Sequence, residues 1–430
     1  MIIHIVQPGD TVASIAEEYG IPAERFVQDN GLNITRVLVE GEALVVAYPA
    51  QTYIVQEGDT LLQIAEKNGI TLQQLLRNNP YLSDRNYIYP GEELIISYGN
   101  KNGKITADGY ANYFIDTATL RRTLPFLTYL SVFGNRTTYG GEILPVNDTK
   151  IITAAREFRV VPIMMLSTMT EQGRGDSDIS YQVVNDENVT DNYINNMLRL
   201  LRRKGYYGVN ITFQFINTSN SQAYEKFIRK IYERLKQEGY LVFITISENF
   251  LIEEDQITFE KVDFTNIITM VDGVILLNYN WGYSFGPPGP VVSLNRLRQF
   301  LKYIITMIPP EKIEIGIPII GYDWELPYII GETKANSLTL DSAITLAGEV
   351  GAVIQFDEVA QNPYFRYVDY RSGIPVQHMV WFIDARTIDA IMGLIMENGF
   401  RGVGIWNIMN YYPQLWVIVN SQYEIETLLN

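Results

Sequence analysis

Asn210, Thr212 and Gln214 occupy alternate positions in the stretch Gly205-Tyr206-Tyr207-Gly208-Val209-Asn210-Ile211-Thr212-Phe213-Gln214-Phe215. Successive side chains of a β-strand point to opposite faces, so these three hydrogen-bonding groups share one face and Val209, Ile211, Phe213 and Phe215 share the other. Burying three such groups costs free energy unless they line a cavity, so the strand is expected to look into a site. Other strand-like runs close on the same chemistry: Leu276-Leu277-Asn278 runs into Tyr279-Asn280-Trp281, a later run into Gly321-Tyr322-Asp323-Trp324, and a last one into Trp406-Asn407. Aromatic, amide and carboxyl groups in this mixture suit stacking against sugar rings and hydrogen bonding to hydroxyl and acetamide groups.

The elements that must position these residues follow from hydrophobic periodicity. Strands are predicted near 105–112, 126–133, 160–166, 207–215, 240–246, 271–279, 313–320 and 402–408. Helices are predicted over Thr149 to Arg156, Asp191 to Lys204, Ser221 to Glu238, Leu294 to Met307, Leu340 to Val350 and Ala385 to Asn398. Eight strands alternating with helices predict an α/β fold, a (β/α)8 barrel over 105–425, with a doubly wound open sheet as the alternative. Surplus length points to a small β-rich insertion at about 352–382. In a barrel the candidate residues would converge on the mouth at the C-terminal ends of the strands.

Composition narrows the chemistry. The formal net charge is -16 with no block of Lys or Arg, which argues against a nucleic-acid partner and against attraction to a membrane surface. Cysteine is absent, so thiolate nucleophiles and cysteine-ligated metals are excluded, and two histidines, His4 and His378, do not suffice for a three-histidine zinc site. No metal and no cofactor are expected. The start Met1-Ile2-Ile3-His4-Ile5-Val6 lacks a basic region before an apolar stretch, so no signal peptide is expected.

An internal repeat opens the chain. Ile5-Val6-Gln7-Pro8-Gly9-Asp10-Thr11 recurs 49 residues later as Ile54-Val55-Gln56-Glu57-Gly58-Asp59-Thr60; Gly20 matches Gly69 and Asn30 matches Asn79. Each copy predicts strand, helix, helix, strand, with Asp10 and Thr11, or Asp59 and Thr60, capping the first helix and Gly20 or Gly69 ending it. The pattern resembles the LysM domain, a module that binds polymers containing N-acetylglucosamine, such as peptidoglycan and chitin. The resemblance implies modules at 1–48 and 51–97, a linker at 98–104, and glycan contacts at Gly9, Asp10, Thr11 and Asn30 and at Gly58, Asp59, Thr60 and Asn79.

The barrel segment resembles glycoside hydrolase family 18. The residues that carry the likeness are Pro125-Phe126-Leu127-Thr128-Tyr129, Tyr279-Asn280-Trp281 with Gly286-Pro287-Pro288, Gly321-Tyr322-Asp323-Trp324, Val380-Trp381-Phe382 with Asp384 and Arg386, and Gly404-Ile405-Trp406. With the LysM pair in front, the chain is similar to spore-associated N-acetylglucosaminidases. The family signature on the fourth strand is Asp-x-x-Asp-x-Asp-x-Glu; here those positions are Tyr207, Asn210, Thr212 and Gln214. In the family the Glu is the general acid, and the Asp before it orients the substrate acetamide, which attacks the anomeric carbon. Gln214 has no proton to give, and Thr212 has no charge with which to stabilise an oxazolinium ion. The resemblance therefore implies catalytic positions Asn210, Thr212, Gln214 and Tyr279, where Thr212 and Gln214 have lost their acids, Asn210 is an amide often found at its position in the family and Tyr279 keeps the phenol that contacts the acetamide; it also implies substrate contacts at Tyr207, Asn280, Trp281, Tyr322, Asp323 and Trp406.

The expectation is a peptidoglycan- or N-acetylglucosamine-polymer-binding protein whose barrel is catalytically impaired, deposited on the spore coat or cortex from the mother cell. Two alternatives stand beside it. One is an active N-acetylglucosaminidase using a relocated acid, with Glu248, Asp323 and Asp384 as candidates; the other is a structural coat protein.

Overall fold

The computed structural model describes every residue except 86, 169–175, 214–215, 248–249, 254–255, 278–283, 372 and 430; the side chains of 84, 213, 250–258 and 371 are also outside the description. The repeat folds twice into the same small unit. The first contains β1 (Ile2–Ile5), α1 (Val12–Tyr19), α2 (Ala23–Asn30) and β2 (Ala43–Val46), and the second β3 (Gln51–Ile54), α3 (Leu61–Lys67), α4 (Leu72–Asn78) and β4 (Glu93–Ser97). Both strand pairs are antiparallel. Thr11 and Thr60 cap α1 and α3 through reciprocal bonds with Ser14 and Gln63, which satisfies amides that the first helical turn leaves open. Asp10 and Asp59 take no part in the cap. Each accepts the backbone N–H three residues earlier, from Gln7 and Gln56 at 2.7 Å, and so closes the turn before the helix.

The rest of the chain begins with β5 (Lys104–Asn112), α5 (Thr117–Thr123), β6 (Tyr129–Thr137), β7 (Ile143–Leu144), α6 (Thr149–Glu157), β8 (Val161–Ser167), α7 (Ser177–Asn185), α8 (Glu187–Lys204) and β9 (Gly208–Phe213). It continues through α9 (Ser221–Lys236), β10 (Leu241–Ser247), the hairpin β11 (Phe250–Glu253) and β12 (Gln256–Phe259), α10 (Thr265–Ile268), β13 (Gly273–Leu277), α11 (Leu294–Ile304) and β14 (Ile313–Pro318). Strands β5, β6, β8, β9, β10, β13, β14 and β20 (Gly402–Trp406) pair in parallel in that order, and β20 returns to β5, closing an eight-stranded barrel. Val209 and Ile211 join the core under the outer helices, whereas Tyr110, Tyr129, Val161, Ile163, Met165, Phe243, Ile275 and Leu277 fill the barrel interior. That is the alternation expected of strands buried on both faces.

Between β14 and β20 lies a five-stranded antiparallel sheet built from β15 (Gly321–Leu326), β16 (Asn336–Leu338), β17 (Gln355–Asp357), β18 (Asn362–Arg371) and β19 (Ile374–Trp381), with α12 (Leu340–Glu349) inside it. This additional structure reaches back to Gly321, well before residue 352, because β15 pairs with the distant β19. Helix α13 (Ala385–Asn398) precedes β20, and α14 (Pro413–Gln422) and β21 (Glu424–Ile425) follow it. No described helix is long and apolar enough to cross a membrane.

Strand β2 joins the first module to the barrel. Leu44 and Val46 face the module's own core, while Ala43, Val45 and Ala47 enter the main core of the barrel. Helix α14 bonds to both modules: Gln414 Nε2 donates to the Ala43 carbonyl at 2.9 Å and to Asn30 Oδ1 at 3.1 Å, and Asn420 Nδ2 donates to Asn78 Oδ1 at 2.8 Å. Gly41 and its repeat partner Gly91 both have positive φ, +83° and +91°, but only Gly41 is also pressed against a neighbour: a Cβ there would lie 1.9 Å from the Ile354 carbonyl oxygen.

Candidate functional site

The barrel mouth is floored by a closed triangle of hydrogen bonds. Asn210 Nδ2 donates to the Tyr110 hydroxyl at 2.8 Å, Thr245 Oγ1 donates to Asn210 Oδ1 at 2.7 Å, and the Tyr110 and Thr245 oxygens are 3.0 Å apart. All three residues are fully buried. The triangle meets the cost of burying an amide and two hydroxyls, and it contains no carboxylate. Burial, followed by the nearby Asp108 charge, pushes the Tyr110 phenol far above its usual range, so it stays protonated. Above it, Trp406 at the end of β20 stacks on Phe133 with ring centroids 5.1 Å apart and tilts over Tyr110 at 5.3 Å. An aromatic platform beside a neutral polar floor can hold a sugar ring and its amide substituent.

Thr212 stands one inward position further toward the mouth. It is half-buried, and its hydroxyl oxygen has no hydrogen-bond partner among the described residues. Gln214, Tyr279, Asn280 and Trp281 lie outside the described residues, as does Glu248.

Acidic groups do occur inside the barrel, but toward the opposite end of the strands. Asp108 accepts from the Ser131 hydroxyl at 2.7 Å, Glu314 accepts from the Thr106 hydroxyl at 2.7 Å, and the Arg401 guanidinium lies 3.5 Å from Glu314. Burial raises both carboxyls above their ordinary values; the negative charge of Glu314 adds to the shift of Asp108, and Arg401 opposes it. This cluster packs the base of the barrel.

Several expected site residues sit elsewhere. Tyr207 precedes β9, at the N-terminal end of the strand. Its amide donates to the Pro162 carbonyl at 3.0 Å and the Arg156 guanidinium lies over its ring at 5.7 Å. At about 3.3 Å per residue it is some 16 Å from Thr212 along the strand, so it cannot touch a ligand in the mouth. Asp323 is buried and its carboxylate is occupied: Tyr367 donates to Oδ2 at 2.8 Å and His378 Nδ1 is 3.0 Å from Oδ1. Tyr322 is buried and packs at 5.6 Å on Trp324, whose indole N–H donates to the Gly286 carbonyl. Asp384 caps α13 and pairs with Arg386 at 2.6 Å.

In the modules, Asn30 and Asn79 are interior residues rather than loop contacts. Asn79 Nδ2 donates to the Leu75 and Ile95 carbonyls at 2.9 and 2.8 Å, and its Oδ1 accepts the Ile95 amide at 2.9 Å; Asn30 repeats this with Phe26 and Val45. A side chain so buried and so bonded ties the second helix to the last strand and is shut away from a glycan. Gly9, Thr11, Gly58 and Thr60 remain exposed on the loops. Asp10 also pairs with His4 at 2.9 Å, and Asp59 accepts from the Tyr53 hydroxyl at 2.9 Å; the backbone amide in each turn is the main cause of a carboxyl pKa below the usual value.

Tyr110, Thr245 and Phe133 are the mouth residues that sequence reasoning passed over. The alternation that marks Asn210 and Thr212 also applies to them, since Tyr110 and Thr245 stand at inward positions of β5 and β10. A groove of about 1140 Å³ lies away from the barrel axis: helices α7, α8 and α9 line it, and it includes neither Asn210 nor Trp406. No cluster of metal-ligating side chains occurs among the described residues.

Comparison with known proteins gives the same architecture. Residues 130–410 match the family described as Glycosyl hydrolases family 18, and residues 4–47 and 53–97 each match the LysM domain. The chain is 31% identical to the cortical fragment-lytic enzyme of Bacillus anthracis, over 98% of each chain. The crystal structure of the Bacillus cereus spore cortex-lytic enzyme SleL superposes with a TM-score of 0.79 at 30% identity, covering 99% of each chain, and that of Bacillus megaterium SleL with 0.80 at 27%.

Proposed function

This chain belongs to glycosyl hydrolases family 18 and carries two LysM domains ahead of its barrel, and on that premise we propose that it binds spore peptidoglycan, or a related N-acetylglucosamine polymer, with a barrel that has lost efficient hydrolysis. The observation that carries the reading is the inward face of β9. Asn210 is committed to a neutral hydrogen-bonded triangle, Thr212 replaces the residue that would orient the acetamide, and Gln214 replaces the general acid. General acid catalysis supplies about 10²- to 10⁴-fold in rate, and the charge that would stabilise the oxazolinium ion is missing on the same strand.

Three features support the binding half. Trp406 and Phe133 keep an aromatic wall at the mouth, the loops carrying Gly9, Thr11, Gly58 and Thr60 stay open, and the two modules are held against the barrel rather than on a free tether. The relatives named as cortical fragment-lytic enzymes come from spore-forming Bacillus, which supports placement at the spore cortex or coat by deposition from the mother cell. Of the candidate acids to replace Gln214, Asp323 and Asp384 are already bonded to neighbouring side chains, which favours impairment over a relocated acid.

The test uses the intact chain, because removing residues 1–97 would strip Ala43, Val45 and Ala47 from the barrel core. Retention on purified peptidoglycan and chitin, displaced by soluble N-acetylglucosamine oligomers, is expected; no retention on either polymer sinks the binding reading. Reducing-end release from cortex fragments is expected to rise by about 10²- to 10⁴-fold in the Thr212→Asp/Gln214→Glu double variant. Turnover by the natural chain at a rate the double variant does not exceed would overturn the impaired-barrel reading.

A further inference from the structure

The groove between α7, α8 and α9 opens at the same end of the barrel as the mouth, since Ile216 and Asn217, which line it, come shortly after the C-terminal end of β9. A cavity of about 20 Å³ continues from it toward the mouth: Ser180, Val184, Tyr224 and Phe227 line both, and Thr212 of the inward face of β9 lines the cavity. At about 1140 Å³ the groove exceeds the roughly 300–1,000 Å³ of a small-molecule pocket. It is sized for an extended oligomer.

Both signs of charge meet in this groove. Lys226 and Lys230, one turn apart, reach it from α9, whereas Asp178 and Glu187 reach it from the first turns of α7 and α8. Lys226 and Glu187 are exposed and form no ion pair among the described residues. Lys230 pairs with Asp191 at 2.9 Å, but the two side chains are 36% and 48% exposed, and a pair so solvated contributes little and exchanges readily for a ligand carboxylate. Glu260, the other acid of the groove, accepts from the Thr218 amide at 2.8 Å and the Thr218 hydroxyl at 2.6 Å. The surface therefore offers ammonium groups from one helix and carboxylates from two others, which is complementary to a ligand carrying both charges.

The uncharged part of the groove narrows the ligand further. Tyr224 and Phe227 are buried beneath it, while Tyr181 on α7 is 70% exposed, which gives small apolar side chains a surface to pack on. Gln222 and Ser177 are exposed beside the charges, and their side chains both donate and accept hydrogen bonds, as a peptide backbone requires. A chain of N-acetylglucosamine would use the aromatic and the amide but leave all four charges without partners.

We propose that the groove binds a short peptide bearing both carboxylates and an ammonium, the kind of branch that peptidoglycan carries on its N-acetylmuramic acid. Lys226 and Lys230 take the carboxylates, and Asp178 and Glu187 take the ammonium. The proposal rests on the reading of the chain as a peptidoglycan binder. It adds that the peptide is recognised beside the mouth while the glycan lies across it, so peptidoglycan is distinguished from a neutral polymer such as chitin.

Calorimetry on the intact chain tests it, comparing the N-acetylglucosamine–N-acetylmuramic acid disaccharide with the same disaccharide carrying an alanine–glutamate–diaminopimelate tripeptide. A preference of about tenfold or more for the peptide-bearing form is expected, the worth of one hydrogen bond to a charged group, and it should weaken as salt rises. Lys226→Gln/Lys230→Gln should abolish the preference. Lys150→Gln/Lys302→Gln, which makes the same change of net charge on exposed residues outside the groove, should keep it, with unchanged melting temperatures showing that both variants are folded. Acetylating the diaminopimelate ammonium should weaken binding to the natural chain and make no difference to Asp178→Asn/Glu187→Gln. Equal affinity for the two disaccharides, a preference that survives Lys226→Gln/Lys230→Gln, or one lost equally in Lys150→Gln/Lys302→Gln would each overturn the peptide site. Retention on peptidoglycan and chitin without a peptide preference overturns this proposal alone; no retention on either polymer and no binding of either disaccharide removes both readings.

Discussion

Replacing Asn79 with Ala separates a structural role from a ligand-binding one. The Asn79 side chain is fully buried and makes three hydrogen bonds: Nδ2 to the Leu75 and Ile95 carbonyls, and Oδ1 from the Ile95 amide. Each such bond contributes about 1 kcal/mol net, and leaving the buried Ile95 amide without an acceptor adds a desolvation penalty of about 1–3 kcal/mol. The Leu75 carbonyl is partly compensated, since it also accepts the Asn79 backbone amide at 3.1 Å. The total is about 3–5 kcal/mol. A unit the size of the second module, at about 0.05–0.15 kcal/mol per residue, has only about 2–7 kcal/mol in all. Asn79→Ala is therefore expected to unfold the second module locally while the barrel stays intact. Hydrogen exchange should show lost protection across α4 and β4 and unchanged protection in β5 and β20. Asn30→Ala should be milder for the fold, because Ala43, Val45 and Ala47 remain packed in the barrel core. An Asn79→Ala variant with native protection throughout, but with no retention on peptidoglycan, would refute this and return Asn79 to the glycan.

Gln414→Leu should loosen the first module from the barrel. It removes the bonds to Ala43 and Asn30 and leaves the Tyr412 hydroxyl without its 2.6 Å acceptor, at a cost of about 2–4 kcal/mol, readable as faster exchange in β2 and α14 and a lower melting temperature. Asp108→Asn should leave stability at neutral pH unchanged or raised. The folded pKa of Asp108 lies well above the ordinary 3.8, so the stability it contributes is full below that ordinary value and is lost as pH rises through the raised folded value. The natural chain should therefore lose more stability than the variant as pH rises above the ordinary 3.8 in urea titrations, and an identical loss in both would contradict the buried-acid account. Restored hydrolysis in Thr212→Asp/Gln214→Glu completes the set.

Local patterns reached the repeat, the eight strands and most of the outer helices; α13 spans Ala385–Asn398 as its periodicity predicts. They also located the polar inward face of β9, since alternation is a property of a single strand. Tyr207 was misplaced by following motif spacing without strand direction: it belongs to the motif but stands at the wrong end of β9 for a mouth residue. Recurrence of Asn30 and Asn79 at matched positions is equally what a structural tie would leave, and the repeat alone does not tell a tie from a contact. The continuous apolar run Ala43-Leu44-Val45-Val46-Ala47 carried an unread signal, because a strand with no polar face is buried on both sides. The reach of the insertion back to Gly321 was hidden for a different reason, since β15 is completed by β19, more than fifty residues away.

By itself the sequence determined which groups are available: no cysteine, two histidines, and an inward face on the fourth barrel strand without a carboxylate. The tertiary structure alone decided which of those groups meet. Asn210 is held by hydrogen bonds to Tyr110 and Thr245, one hundred and thirty-five residues apart in the chain, and Ala43, Val45 and Ala47 of the first module join the barrel core. Side-chain chemistry is a local property, while hydrogen bonding, desolvation and charge compensation depend on distances that only the closed barrel and its docked modules set.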